Sequence, residues 1–237
     1  MTTLDRPATV PTDITAPAET TRGSRLLAGL SVLAPVLVGT GVLFHPDDTK
    51  GAEHTLEHLA GDERTMWTIV HLVEPFAWLL LATTLLLALP RLVADGGRGR
   101  RLVSIGSVLA FIGFVSIAFI VYSHGEAFLF MSADGVDRDA MEPLFKQFET
   151  GMPLAALPSL LSRIGLIVAG IGLLRSRTVP RWVGVLLLIA PFTMQAGSAG
   201  LPVVLSIVLF LGPLVAAMGG VAGRIATTGG PALPTAR

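Results

Sequence analysis

Apolar residues arrive in this chain in long blocks, without the alternation of a strand or the single stripe of a soluble helix. The blocks cover 26–44, 66–89, 102–122, 152–174, 182–197 and 201–221. A helix needs about 20 predominantly apolar residues to cross a hydrocarbon core about 30 Å thick, so the pattern predicts an all-α polytopic bundle of six transmembrane helices. The fifth block is the shortest, and the GSAG stretch at 197–200 leaves a very short turn before the sixth. For these two a re-entrant pair is the alternative. Residues 1–21 are Thr, Pro and Ala with scattered charges and read as a disordered tail. Residues 225–237 read as a second tail, which leaves 22–224 as the membrane domain. The first block is longer than the core of a signal peptide and is expected to stay as a span.

The charges orient the bundle. Of the 17 Lys and Arg, twelve fall in one alternating set of connecting segments, four in the other, and Arg163 inside a span. Basic residues stay on the cytoplasmic side, so both termini are expected there, in a multi-pass protein of the plasma membrane. All five histidines then fall on the outer side or in the outer half of the bundle.

Composition narrows the function classes. The chain is 51% hydrophobic and 14% charged, with mean hydropathy +0.69, more apolar surface than a soluble core of 237 residues can bury. Zero formal net charge and no basic face argue against a nucleic-acid partner. With no cysteine, thiol catalysis, thiolate metal sites and disulfides are excluded together. The predominance of Arg over Lys, with abundant Ala, Gly and Leu, points to a GC-rich bacterial genome.

The candidate chemistry gathers in the second block, RTMWTIVHLVEPFAWLLLATTLLLAL. Trp67, His71, Glu74 and Trp78 follow at spacings of four, three and four, which places both titratable groups and both indoles on one helical stripe. An ionisable group at membrane depth is costly and is by default a functional hypothesis. Pro75 cannot donate to the His71 carbonyl, so a kink and a free acceptor are expected beside the acid. Arg163, in the fourth block, is expected at similar depth and is the candidate partner of Glu74, with Gln195 of the fifth block as a third member. On the third block Phe111, Phe114 and Tyr122 recur on one side of the helix, and His124 lies at its outer end. These rings with Trp67 and Trp78 are candidates to stabilise a cation by their π faces, against the plainer reading of a packing stripe.

No cofactor is expected. His54 and His58 could hold a divalent metal with Glu57 or His45, although an amphipathic helix on the membrane surface explains the same residues. Haem held by two histidines would want both at one depth, and His71 reads as deeper than His124.

In size, and in carrying an acid on a helix at membrane depth, the chain is similar to small integral-membrane terpene cyclases, which protonate an isoprenoid alkene or epoxide. The likeness is architectural, because Val73 precedes Glu74 where those enzymes suggest a Trp-Glu pair. The expectation is therefore an enzyme acting on a lipid-like, isoprenoid molecule, with Glu74 as general acid, His71 as proton partner, and Trp67, Trp78, Arg163, Phe111, Phe114, Tyr122, His124 and Gln195 round the substrate. The alternative is a transporter or binding protein for an ion, proton or amphiphile. The inner half of the second block offers only Thr83 and Thr84 as polar groups, which leans against a path through the membrane.

Overall fold

The computed structural model describes residues 21–44, 59, 64–137, 139–141, 143, 146–147, 151, 157–196 and 203–228. Six α-helices account for nearly all of them: α1 (Arg22–Phe44), α2 (Arg64–Arg91), α3 (Arg100–Met131), α4 (Leu160–Ser176), α5 (Arg181–Ala196) and α6 (Val203–Thr228). There is no strand among the described residues. Four segments are long and apolar enough to cross a membrane: α1, α2, α3, and α4 together with the 3-10 turn Leu157–Ser159 before it. The apolar stretches of α5 and α6 are shorter.

Each helix packs on its neighbours in sequence, and α6 returns to pack on α1, so the six close into a ring. Small residues set the tightest seam. A Cβ added at Gly106 would lie 2.4 Å from the Ala169 nitrogen, one at Gly165 would lie 2.2 Å from the Ala110 nitrogen, and one at Gly113 would lie 2.0 Å from the Ser162 nitrogen. Residue numbers rise along α3 as they fall along α4, so the two run antiparallel with backbones in contact, the arrangement that small residues permit in apolar surroundings. Large residues fill the rest of the interior, among them Leu81, Leu85, Leu89, Phe114, Leu166, Leu187, Leu214 and Met218. The outward faces stay apolar too: Phe76 is 64% exposed and Phe119 and Phe192 67%, a distribution suited to lipid rather than water.

The ends of the helices follow local chemistry. Beyond α2, the Arg100 guanidinium donates to the carbonyls of Pro90 and Val93 and pairs with Asp95 at 3.1 Å, satisfying acceptors that the end of a helix leaves open. The connector turns at Gly96 and Gly99, with φ of 76° and 83°, a region that glycine enters without steric cost. Helix α4 begins only after Pro158, whose ring removes a donor that a helix interior would need.

The ends differ from the expected spans at three helices: the fourth span was expected from 152, whereas 157–159 form a 3-10 turn and α4 starts at Leu160, with 152–156 outside the described residues. Helix α3 continues past Tyr122 to Met131, and α6 runs to Thr228, so 225–228 are helical. The tails at 1–20 and 229–237, the stretch at 45–58 with His45, His54, Glu57 and His58, and the 197–202 turn lie outside the described residues.

Candidate functional site

The four residues of the α2 stripe are all buried. Trp67 is 1% exposed, and His71, Glu74 and Trp78 are 3%. They make two tiers. In the first tier the Trp78 indole N–H donates to Glu74 Oε1 at 3.0 Å, and the Trp78 ring stacks on Phe114 of α3 with centroids 5.5 Å apart. Glycine at position 41 of α1 makes room for the acid: a Cβ there would meet Glu74 Cγ at 2.9 Å. The carboxyl is thus gripped from its own helix and walled by a second.

The other tier, nearer the start of α2, is aromatic. His71 stacks on Trp67 at 4.1 Å between centroids, and His124 and Phe128 of α3 complete the group, with His71 and His124 6.2 Å apart and His124 and Phe128 4.7 Å apart. His71 Nδ1 lies 3.0 Å from the Trp67 carbonyl oxygen. A carbonyl only accepts, so Nδ1 carries the proton in this bond. Gly125 of α3 does two things here. Its carbonyl accepts from Trp67 Nε1 at 3.2 Å, and its missing side chain leaves space for the imidazole, since a Cβ would come within 2.3 Å of His71 Cβ and 2.4 Å of Cγ. The buried Leu59 and Met131 join Trp67 and Phe128 in a small apolar cluster of their own.

The extra turns of α3 bring His124 beside His71, closer than the expected difference in depth. The pairing was open to detection, because His124, Phe128 and Met131 continue at spacings of four and three beyond Tyr122. The two rings lie among Trp67, Phe128 and the Gly125 backbone, with their planes tilted by 33°. Among the described residues no three His, Asp or Glu side chains are placed to hold a metal ion.

The remaining candidates are spread more widely. Phe114 is fully buried on Trp78, and Phe111 is half-buried against the core. Tyr122 is 45% exposed and lines an apolar groove on the outer side of α2 and α3. This groove holds about 480 Å³ and is walled by Leu72, Phe76 and Phe119, with Pro75 and Ala118 at its floor. Arg163 is half-buried in the first turn of α4, next to Ser162, which abuts Gly113. Phe114 in turn faces Trp78, so Arg163 stands about level with Trp78, one turn beyond Glu74 along α2. Helix α4 packs on α3 and α5, and α3 stands between it and α2. Gln195 lies in the last turn of α5, and its side chain is outside the described residues.

No protein-family model matches the chain, and no curated protein or solved structure shows detectable similarity to it.

Proposed function

We propose that this chain is a six-span protein of a bacterial plasma membrane, both ends cytoplasmic, that acts on a lipid-like molecule of the isoprenoid class, with Glu74 as general acid and His71 as its proton partner. The observation that carries the reading is the joint placement on α2 and α3. A buried carboxyl and imidazole occupy one side of α2, and an apolar groove opens sideways on the other, with Pro75 between them. A lipid-soluble substrate would enter laterally along Phe76, Phe119 and Tyr122. The part of α2 beyond Trp78 supports entry from the bilayer over passage through it. Leu81, Ala82, Leu85, Ala88 and Leu89 are all fully buried there, and Thr84 is the buried polar side chain among them.

In this reading substrate reaches Glu74 when the wall at Pro75 and Ala118 parts, and Pro75, which makes no bond to the preceding turn, is where α2 yields most readily. The acid then protonates an alkene or epoxide, and the stacked Trp78 and Phe114 rings beside it would offer π faces to a developing cation. A second reading is binding without turnover. It is favoured by the Trp78 bond and the Gly41 contact, both of which hold Glu74 as a packing group would be held.

Glu74→Gln separates the two, because it keeps shape and hydrogen bonding while deleting the titrating proton. An enzyme should lose turnover by about 100-fold or more yet still retain lipid through purification. Lipid extracts of wild type and variant, compared with product formation across pH, provide the measurement. A variant that turns over like wild type removes the catalytic role.

The topology has its own check. In this cysteine-free chain, Gly135→Cys should react with a membrane-impermeant maleimide added to intact cells, and Gly97→Cys should react only after lysis. The reverse pattern would turn the bundle over and put the aromatic tier on the inner face.

A further inference from the structure

At the opposite end of the bundle from the aromatic tier, the α2–α3 connector and the last turn of α4 border a second, open-mouthed cavity of about 720 Å³, lined by Gly96, Gly97, Gly99, Arg100, Arg101, Leu102 and Arg175. Its construction begins with Gly99. The left-handed φ of 83° turns the connector, and a Cβ at this position would fall 2.1 Å from the Gly172 carbonyl oxygen and 3.3 Å from the Ser176 nitrogen. Only glycine lets the connector lie directly on the end of α4. That contact brings Arg101, in the first turn of α3, to the same cavity as Arg175, in the last turn of α4, although the two are far apart in sequence.

The three arginines at the cavity are not equivalent. Arg100 is committed to the fold, with its guanidinium shared between the Pro90 and Val93 carbonyls and Asp95. Asp95 is thereby neutralised by its own neighbour. Arg101 and Arg175 are exposed and have no carboxylate partner among the described residues. Both side chains border the same hollow, so an anion there would be attracted by two positive charges at once. The N-cap Gly99 supplies no side-chain acceptor to the first turn of α3, so that turn adds to the positive potential. Guanidinium binds phosphate oxygens in a planar, two-pronged way that ammonium does not match, and basic pockets between spans at this side of a membrane are places where anionic headgroups bind.

We infer that this cavity binds a phosphate group, presented by the headgroup of an anionic phospholipid. The inference goes beyond the proposed activity at Glu74, which lies at the other end of α2 and α3 from it. Only the lipid source of the phosphate depends on the chain lying in a bilayer.

The experiment uses the full chain purified in neutral detergent, with binding followed by native mass spectrometry and by thermal shift. One arm titrates phosphatidylglycerol in mixed micelles with phosphatidylcholine, and another titrates inorganic phosphate. Arg101→Gln with Arg175→Gln is compared with Arg22→Gln with Arg25→Gln, a pair of equal charge change on α1 outside the cavity. The cavity pair should weaken phosphatidylglycerol binding about 30-fold, and the α1 pair should leave it within about twofold. Phosphatidylglycerol binding alone identifies a headgroup site, while binding of inorganic phosphate with the same dependence on Arg101 and Arg175 identifies a site for phosphate from either source. Equal weakening by the two pairs would mean diffuse attraction to a basic surface and would overturn the inference, as would no binding in either arm. All four arginines have exposed side chains, and Arg101→Lys with Arg175→Lys, which keeps the charge, provides a second comparison: it should retain a larger share of the affinity than the Gln pair.

Discussion

Gly113→Leu is expected to force α3 and α4 apart and to lower stability by more than about 3 kcal/mol, the upper range for overpacking a tight interface. The reason is the identity of the neighbour. A Cβ at Gly113 would lie 2.0 Å from the Ser162 nitrogen and 2.6 Å from its Cα, and both are backbone atoms of a helix that cannot rotate away. Relief requires the two helices to separate by an ångström or more along the seam that Gly106, Ala110, Gly165 and Ala169 also form, so the damage spreads beyond one residue. Gly219→Ala is the matched control. Nothing lies within 4 Å of its Cβ position, so it should be neutral or slightly stabilising through helix propensity. Thermal unfolding in detergent, with size-exclusion chromatography for assembly, tests both. A Gly113→Leu protein that melts like wild type would mean that α3 and α4 are not in backbone contact.

The second large effect is expected at Gly125. Alanine there would intrude on the His71 ring and would disturb the carbonyl that accepts from Trp67, so a loss of about 2 kcal/mol or more is expected, from overpacking together with a damaged buried hydrogen bond. His71→Gly vacates the space that the new methyl needs. The double variant should therefore be less destabilised than the two single changes added together, and the surplus measures the contact directly. Strict additivity in a denaturation series would mean that the imidazole and the α3 backbone are not in contact.

The parts of this molecule legible in the sequence are those fixed by local periodicity. Long apolar blocks specify helices whatever they pack against, and the four, three, four spacing of Trp67, His71, Glu74 and Trp78 puts them on one buried stripe before any tertiary contact is known. What the sequence left open depends on how helices pair. Gly41 and Gly125 are unremarkable glycines in their own helices and acquire a role only when α1 is laid on Glu74 and α3 on His71. The C-terminal end of α3 was hidden for a different reason: Ser123, His124 and Glu126 interrupt the hydropathy, although the helix continues through them and Phe128 is buried. Likewise a 3-10 turn at Leu157–Ser159, with Pro158 inside it, precedes α4, which leaves Arg163 in a first turn instead of mid-helix.

The unequal lengths of the helices have a consequence for the membrane itself. At 1.5 Å per residue the 32 residues of α3 reach about 48 Å, while the 17 of α4 beside it reach about 26 Å. A bilayer core of about 30 Å matches the shorter helix and falls short of the longer one. In a bilayer, lipids would therefore meet a belt of uneven height, taller along α2 and α3 than along α5, whose 16 residues reach about 24 Å. Such a belt is accommodated by tilt or by local changes in bilayer thickness, so the tier of Trp67, His71 and His124 would sit within hydrocarbon in a thick membrane and among headgroups in a thin one.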